Sequence, residues 1–185
     1  MAINVLLAFW VLSEVLLSFR RRSARALRRK GGLGSVVLVW LVIILCIVAA
    51  NLVLFLYPRR FPGNASAYTA IAAVLILLGI GVRWWAILTL GRFFSVDIAV
   101  QDRHRVVQEG PYRLVRHPAY TGLLISFLGM GIAFMNWLSL ILVVVPVSSF
   151  FIYRIKIEED ALSEELGVTY LEYRSKTKRL VPGVF

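Results

Sequence analysis

Val36–Tyr57 is a run of 22 residues in which Asn51 is the only strongly polar side chain. About 20 apolar residues carry a helix across the hydrocarbon core of a bilayer, so this run reads as a transmembrane helix. Its neighbours follow suit. Ile3–Phe19 is a further apolar segment with Glu14 inside it, and the positive charges come after it. A secretory signal places them before, so the segment is expected to be an uncleaved first span with its N-terminus outside. Pro58, Pro62 and Gly63 then mark a short outer loop. Tyr68–Leu90 forms a third run, with Arg83 beside Trp84 and Trp85. These three fit an interfacial belt, the arginine snorkelling toward the cytosol. Ala119–Met135 and Trp137–Tyr153 are separated only by Asn136 and predict a tight helical hairpin. With 59% hydrophobic residues, against roughly 45–50% in soluble domains, much of this surface must meet lipid.

The formal charge of +11 invites a nucleic-acid reading, but the charges lie beside apolar runs, where the positive-inside rule puts them. Arg20–Lys30 holds seven Lys or Arg and no acid, and such a cluster attracts anionic lipid headgroups. Segments 20–30, 91–118 and 154–185 together hold 18 of the 21 basic residues. They share one side if there are five spans. The expected fold is therefore an all-α integral membrane protein of about five transmembrane helices and one membrane domain, 1–185. Residues 1–90 supply three N-terminal spans. Residues 91–185 supply the helical hairpin and a cytosolic segment, formed by the 91–118 loop and the C-terminal region, where chemistry can be assembled.

Soluble-cofactor signatures are absent: no Gly-x-Gly-x-x-Gly follows a strand, and no Gly-x-x-x-x-Gly-Lys occurs. Gly79, Gly81, Gly129 and Gly131 read as close helix contacts. The single cysteine, Cys46, sits in an apolar run, which rules out a disulfide framework and a cysteine-based metal site. Chemistry concentrates in two strings. The first runs from His104 to Tyr120, with a Gly110-Pro111 turn signal and Pro118 where a helix would begin. A helix N-terminus offers free N–H groups and partial positive charge, suited to a carboxylate. Taken alone, the residues are better explained otherwise: His117 as a cap, Arg116 as a headgroup anchor, Tyr120 as a belt residue. The second string is Arg154-Ile155-Lys156-Ile157-Glu158-Glu159-Asp160. Arg154 and Glu158 share a helix face, which by itself implies no more than a surface ion pair.

Together the strings resemble the isoprenylcysteine carboxyl methyltransferase family, which is related to phospholipid N-methyltransferases. The pattern is His104 to Val107, Gly110 with Tyr112, Arg116 to Tyr120 with Gly122, Asn136, Arg154 with Glu158 and Glu159, and Gly167 with Tyr170 and Tyr173. The resemblance covers about residues 90–185. It implies S-adenosylmethionine as methyl donor. It also implies that His104, Arg105, Val106, Val107, Tyr112, His117, Pro118, Ala119, Tyr120 and Glu158 bind this cofactor, with Gln101 as a further contact. Arg154 is the residue implied to meet the acceptor. The acceptor is expected to be a lipid or a prenylated small molecule or protein, its carboxylate methylated; membrane lipids are the other partners, and neither nucleic acid nor metal is expected. Lys156 and Ile157 stand where eukaryotic members carry acids, which leaves a lipid amine as an alternative acceptor. An NADPH-dependent membrane lipid reductase and a non-enzymatic scaffold are the remaining readings.

Overall fold

The computed structural model describes residues 2–20, 32–58, 60–94 and 106–183. Six α-helices make up most of it: α1 (Ala2–Arg20), α2 (Gly32–Leu56), α3 (Ala65–Leu90), α4 (Pro118–Ala133), α5 (Trp137–Leu166) and α6 (Val168–Lys176). Short 3₁₀ turns occupy Gly91–Phe93 and Gly110–Arg113. Among the described residues there is no strand, only an isolated parallel bridge between Val115 and Lys178. Most of the basic cluster between α1 and α2 and the segment 95–105, with Gln101, His104 and Arg105, lie outside the described residues.

By length and composition, Val37–Leu56 of α2, α3 and α5 can each cross a membrane, while the apolar Val5–Leu17 and α4 are shorter. At 16 residues α4 is roughly 24 Å long, less than the ~30 Å hydrocarbon thickness. Outward faces are apolar: Leu38, Leu41, Leu45, Leu52 and Phe55 of α2 are all exposed. α5 has two halves. It is apolar as far as Tyr153, and the same helix then continues as a charged rod that carries Arg154, Glu158 and Glu159 beyond the apolar layer.

The polar exceptions in the apolar layer hold the helices together. Asn136 caps α5, its Oδ1 accepting from Leu138 N and Ser139 N at 3.0 Å each. Its Nδ2 donates to Tyr57 O at 3.0 Å, which ties the hairpin turn to the end of α2. Ser139 Oγ donates to Ala50 O at 2.9 Å, binding α5 to α2 a turn further in. Arg83 differs from its sequence reading. It is 7% exposed, and its Nε and Nη2 donate to the two carboxylate oxygens of Glu14. An arginine and a carboxylate in apolar surroundings each lower the other's desolvation cost, so pairing across α1 and α3 displaces snorkelling.

α3 and α4 pack through small residues. In lipid, where apolar surface gains nothing from leaving water, close backbone approach supplies the association. A Cβ added to Gly122 would lie 2.6 Å from Gly79 O and 2.7 Å from Arg83 N. Gly129 meets Ala72 O in the same way, and Gly131 meets Leu140 of α5. Gly81 faces open space, so its expected helix contact does not form. Gly122→Ala is therefore expected to destabilise the protein by about 1–3 kcal/mol, read as a lower thermal midpoint in detergent. Gly81→Ala should melt with the wild type. Equal midpoints for both variants would mean that α3 and α4 do not approach this closely.

Candidate active site

The hairpin enters through a loop whose backbone is pinned from the C-terminal side. Pro111 and Tyr112 are buried in the 3₁₀ turn, and Tyr173 Oη donates to Tyr112 O at 2.7 Å. Arg116 N donates to Lys178 O at 2.8 Å and His117 N to Arg179 O at 3.0 Å. Thr121 Oγ1 adds a bond to Leu180 O at 2.9 Å. Residues 177–180 thus run beside 115–117 as a splint. α5 turns into α6 at Gly167, whose φ of +55° with ψ of −132° is accessible in practice only to glycine. That turn sends Tyr170 and Tyr173, both buried, back toward the loop.

Glu159 lies at the junction and is 1% exposed. Its Oε1 accepts from Arg116 Nε at 2.8 Å, and its Oε2 from Arg179 Nε at 3.0 Å. His117 Nε2 is 3.4 Å from Oε1, near the carboxylate but not aligned for a hydrogen bond. Arg116 also donates through Nη1 to Arg174 O at 2.9 Å and to Thr177 O. Burial alone would raise the Glu159 carboxyl; His117, Arg179 and Arg116 outweigh it and hold the group well below the ordinary carboxylate range. Arg116 is therefore an internal strut, contrary to the headgroup-anchor reading.

Above this junction a cavity runs from the polar ends of α4 and α5 down between α1, α2 and α4. Of the residues expected to bind the donor, Val106, Val107, Tyr112 and His117 line it, together with Ala119, Tyr120 and Glu158. Arg154 lines the same cavity. Pro118 is fully buried and forms the first residue of α4, where it starts the helix beside the cavity. Gln101, His104 and Arg105 fall outside the described residues. Arg154 and Glu158 do share a face, and they meet through a third residue. Arg154 Nε donates to Tyr120 Oη at 3.0 Å, and Tyr120 Oη donates to Glu158 Oε2 at 2.8 Å. His117 is the cap residue of α4 but makes no side-chain capping bond; its ring is 5.8 Å from that of Tyr120.

Several residues of the site were not assigned from the sequence. Glu14 and Arg83 both line the cavity, and the signal for them was available: each is an ionisable residue in an apolar span, which requires a partner. Trp10, Val39, Ile43 and Ile47 form the apolar wall, continued by Phe127 and Met130. Nothing in their spacing separates them from lipid-facing residues. Tyr170 Oη and Trp10 Nε1 are buried without a hydrogen-bond partner, and both residues belong to the cavity wall.

The Glu159 junction predicts a specific instability. Glu159→Gln leaves two guanidinium groups without their counter-charge and should cost about 3–5 kcal/mol, measured by thermal unfolding in detergent at pH 7. Because the folded carboxyl titrates below its unfolded value of about 4.3, its stabilisation is complete above that pH and is lost as the pH falls further. The wild-type and Glu159→Gln midpoints should converge on acidification; a constant gap would contradict the assigned role.

Comparison with known proteins bears on the family and the fold. The family model for the isoprenylcysteine carboxyl methyltransferase (ICMT) family matches residues 71–164. The protein-S-isoprenylcysteine O-methyltransferase A of Arabidopsis thaliana is 39% identical over 113 residues, covering 60% of this chain and 57% of the relative. The protein-S-isoprenylcysteine O-methyltransferase of Saccharomyces cerevisiae is 33% identical over 116 residues, covering 62% and 48%. A solved structure of the eukaryotic intramembrane Ras methyltransferase, isoprenylcysteine carboxyl methyltransferase, superimposes with a TM-score of 0.62 at 26% identity, over 78% of this chain and 52% of that one. The chain matches about half of the length of these relatives. With its apolar helices and this neighbour, it is an integral membrane protein. The chain belongs to the isoprenylcysteine carboxyl methyltransferase family.

Proposed function

We propose that this protein is an S-adenosylmethionine-dependent methyltransferase acting on the carboxylate of an isoprenylcysteine-like lipid. The observation that carries this is a cavity with two chemistries. Its polar end gathers His117, Tyr120, Glu158 and Arg154, and its apolar end is walled by Trp10, Ile43, Ile47 and Phe127. A water-soluble donor and a lipid acceptor fit such a cavity from opposite ends.

The residues suit the donor. Glu158 offers a carboxylate, 31% exposed in its side chain, to an ammonium or ribose hydroxyl. Tyr170 Oη is a buried donor in want of an acceptor. Val106, Val107 and Tyr112 supply apolar and aromatic wall. When bound, S-adenosylmethionine supplies an electrophilic methyl group on a sulfonium. The acceptor needs no general base, since a carboxylate is ionised at neutral pH. What it needs from the protein is alignment and desolvation, which together supply on the order of 7–11 kcal/mol. Arg154, 4% exposed, presents a planar fork suited to a carboxylate. The apolar wall excludes water from the hydrocarbon tail.

The same reading places the charged end of α5 and residues 167–183 on the cytosolic face, with five spans and the N-terminus outside. The bias of 18 of 21 basic residues supports it. Cysteines substituted for Arg25 and Ser175 in a Cys46-free background should both react with an impermeant reagent only from the cytosolic side. Outside labelling of either would break the shared face.

Calorimetric titration of the full chain in detergent should show S-adenosylhomocysteine binding and no response to NADPH; the opposite result would favour the reductase reading. Glu158→Ala should weaken S-adenosylhomocysteine by about tenfold or more, the loss of a charge-assisted contact. Arg154→Lys should slow methylation of N-acetyl-S-farnesylcysteine by about tenfold or more, with S-adenosylhomocysteine affinity nearly unchanged. Methylation of a lipid amine in place of the carboxylate would reassign the acceptor.

A further inference from the structure

Tyr120 makes the two halves of the cavity mechanically dependent. Its hydroxyl stands between Arg154 on one side and Glu158 on the other, at 3.0 Å and 2.8 Å. An arginine can only donate and an ionised carboxylate can only accept, so the chain has a single polarity. Arg154 donates to the hydroxyl oxygen, and the hydroxyl's one proton goes to Glu158. The ring is held in place by Phe151, 5.4 Å away, and by His117. Phe151 and Arg154 both come from α5 and are buried, so the hydroxyl has little room to leave the line.

Hydrogen bonds in series strengthen one another. While Glu158 draws the Tyr120 proton, the tyrosine oxygen is a better acceptor and holds Arg154 more firmly. A ligand that engages Glu158 weakens the Tyr120–Glu158 bond, and the tyrosine oxygen then holds Arg154 less firmly. We infer that Tyr120 is a positioning residue that makes acceptor affinity rise when the donor site is filled, by releasing Arg154 toward the acceptor carboxylate. The inference rests on the methyl-transfer reading above. It adds to that reading a coupling between the two sites, carried by one hydroxyl. By linkage the acceptor must tighten the donor by the same factor.

The test is the affinity of S-adenosylhomocysteine for the full chain, with and without saturating N-acetyl-S-farnesylcysteine. The wild type should bind about fivefold more tightly with the acceptor present. Tyr120→Phe, which keeps the ring and its packing, should bind both ligands yet show the same S-adenosylhomocysteine affinity with and without acceptor. A merely structural tyrosine would lower both affinities and leave their ratio alone. Arg154→Lys, which keeps Tyr120 and Glu158 but lacks the guanidinium Nε, should also lose the ratio and serves if Tyr120→Phe does not fold. Absence of coupling in the wild type, or its survival in Tyr120→Phe, overturns the inference. Failure of the wild type to bind S-adenosylhomocysteine at all would sink the methyl-transfer reading itself.

Discussion

The Glu159 carboxylate is the point on which the polar half of this molecule depends. A charge with 1% exposure is tolerable only if its surroundings return what water would have given. Here Arg116 comes from the hairpin loop and Arg179 from the C-terminal segment, with His117 beside them. The two guanidinium groups would be costly to bury near each other without the carboxylate. One side chain on α5 therefore fixes the start of α4 and the splint 177–180 together. It sits one residue from Glu158, so the same turn of helix that anchors the fold also aims a carboxylate into the cavity.

The apolar half is organised by contact instead of charge. Gly79, Gly122 and Gly129 bring α3 and α4 to backbone contact, and this close pair forms a rigid wall. The exception is Arg83, whose pairing with Glu14 draws α1 against that wall and whose Nη1 reaches Ala119 O at 3.4 Å. The cavity is the space left between this wall and α2 and α5. Its apolar lining from α1 and α2 lies outside residues 71–164, the part matched by the family model. The apolar lining can thus vary in α1 and α2 without disturbing the polar residues of the matched part.

Helix positions and the hairpin were legible in the sequence because apolar runs broken by Pro58, Asn136 and charged segments leave few alternatives. The motif residues were legible as a set, yet their roles were not uniform. Asn136 and Gly167 turn out to be a cap and a backbone hinge. Arg116 lines the cavity with His117, Tyr120, Glu158 and Arg154, yet its bonds to Glu159, Arg174 and Thr177 make it a strut. Sequence order cannot separate these roles, because a strut and a ligand contact can be adjacent residues on one turn. The Glu14–Arg83 pair needed the mutual rotation of α1 and α3, which no local pattern encodes. The link through Tyr120 was hidden for the same reason: Arg154 and Glu158 were each placed on the right face, but the hydroxyl between them comes from another helix.

The splint also has a meaning for how the protein is made. Arg116 and His117, which open the hairpin, find the acceptors for their backbone N–H groups at residues 178 and 179, more than 60 positions later in synthesis. During synthesis α4 and α5 are complete before those partners are made. Until then Arg116 and Glu159 lack part of their shell and depend on water for the remainder. Assembly of the polar end is thus a late step, completed only when residues 178 and 179 reach a hairpin already made. The nascent chain passes through a stage in which its apolar helices are made but its polar end is not yet built.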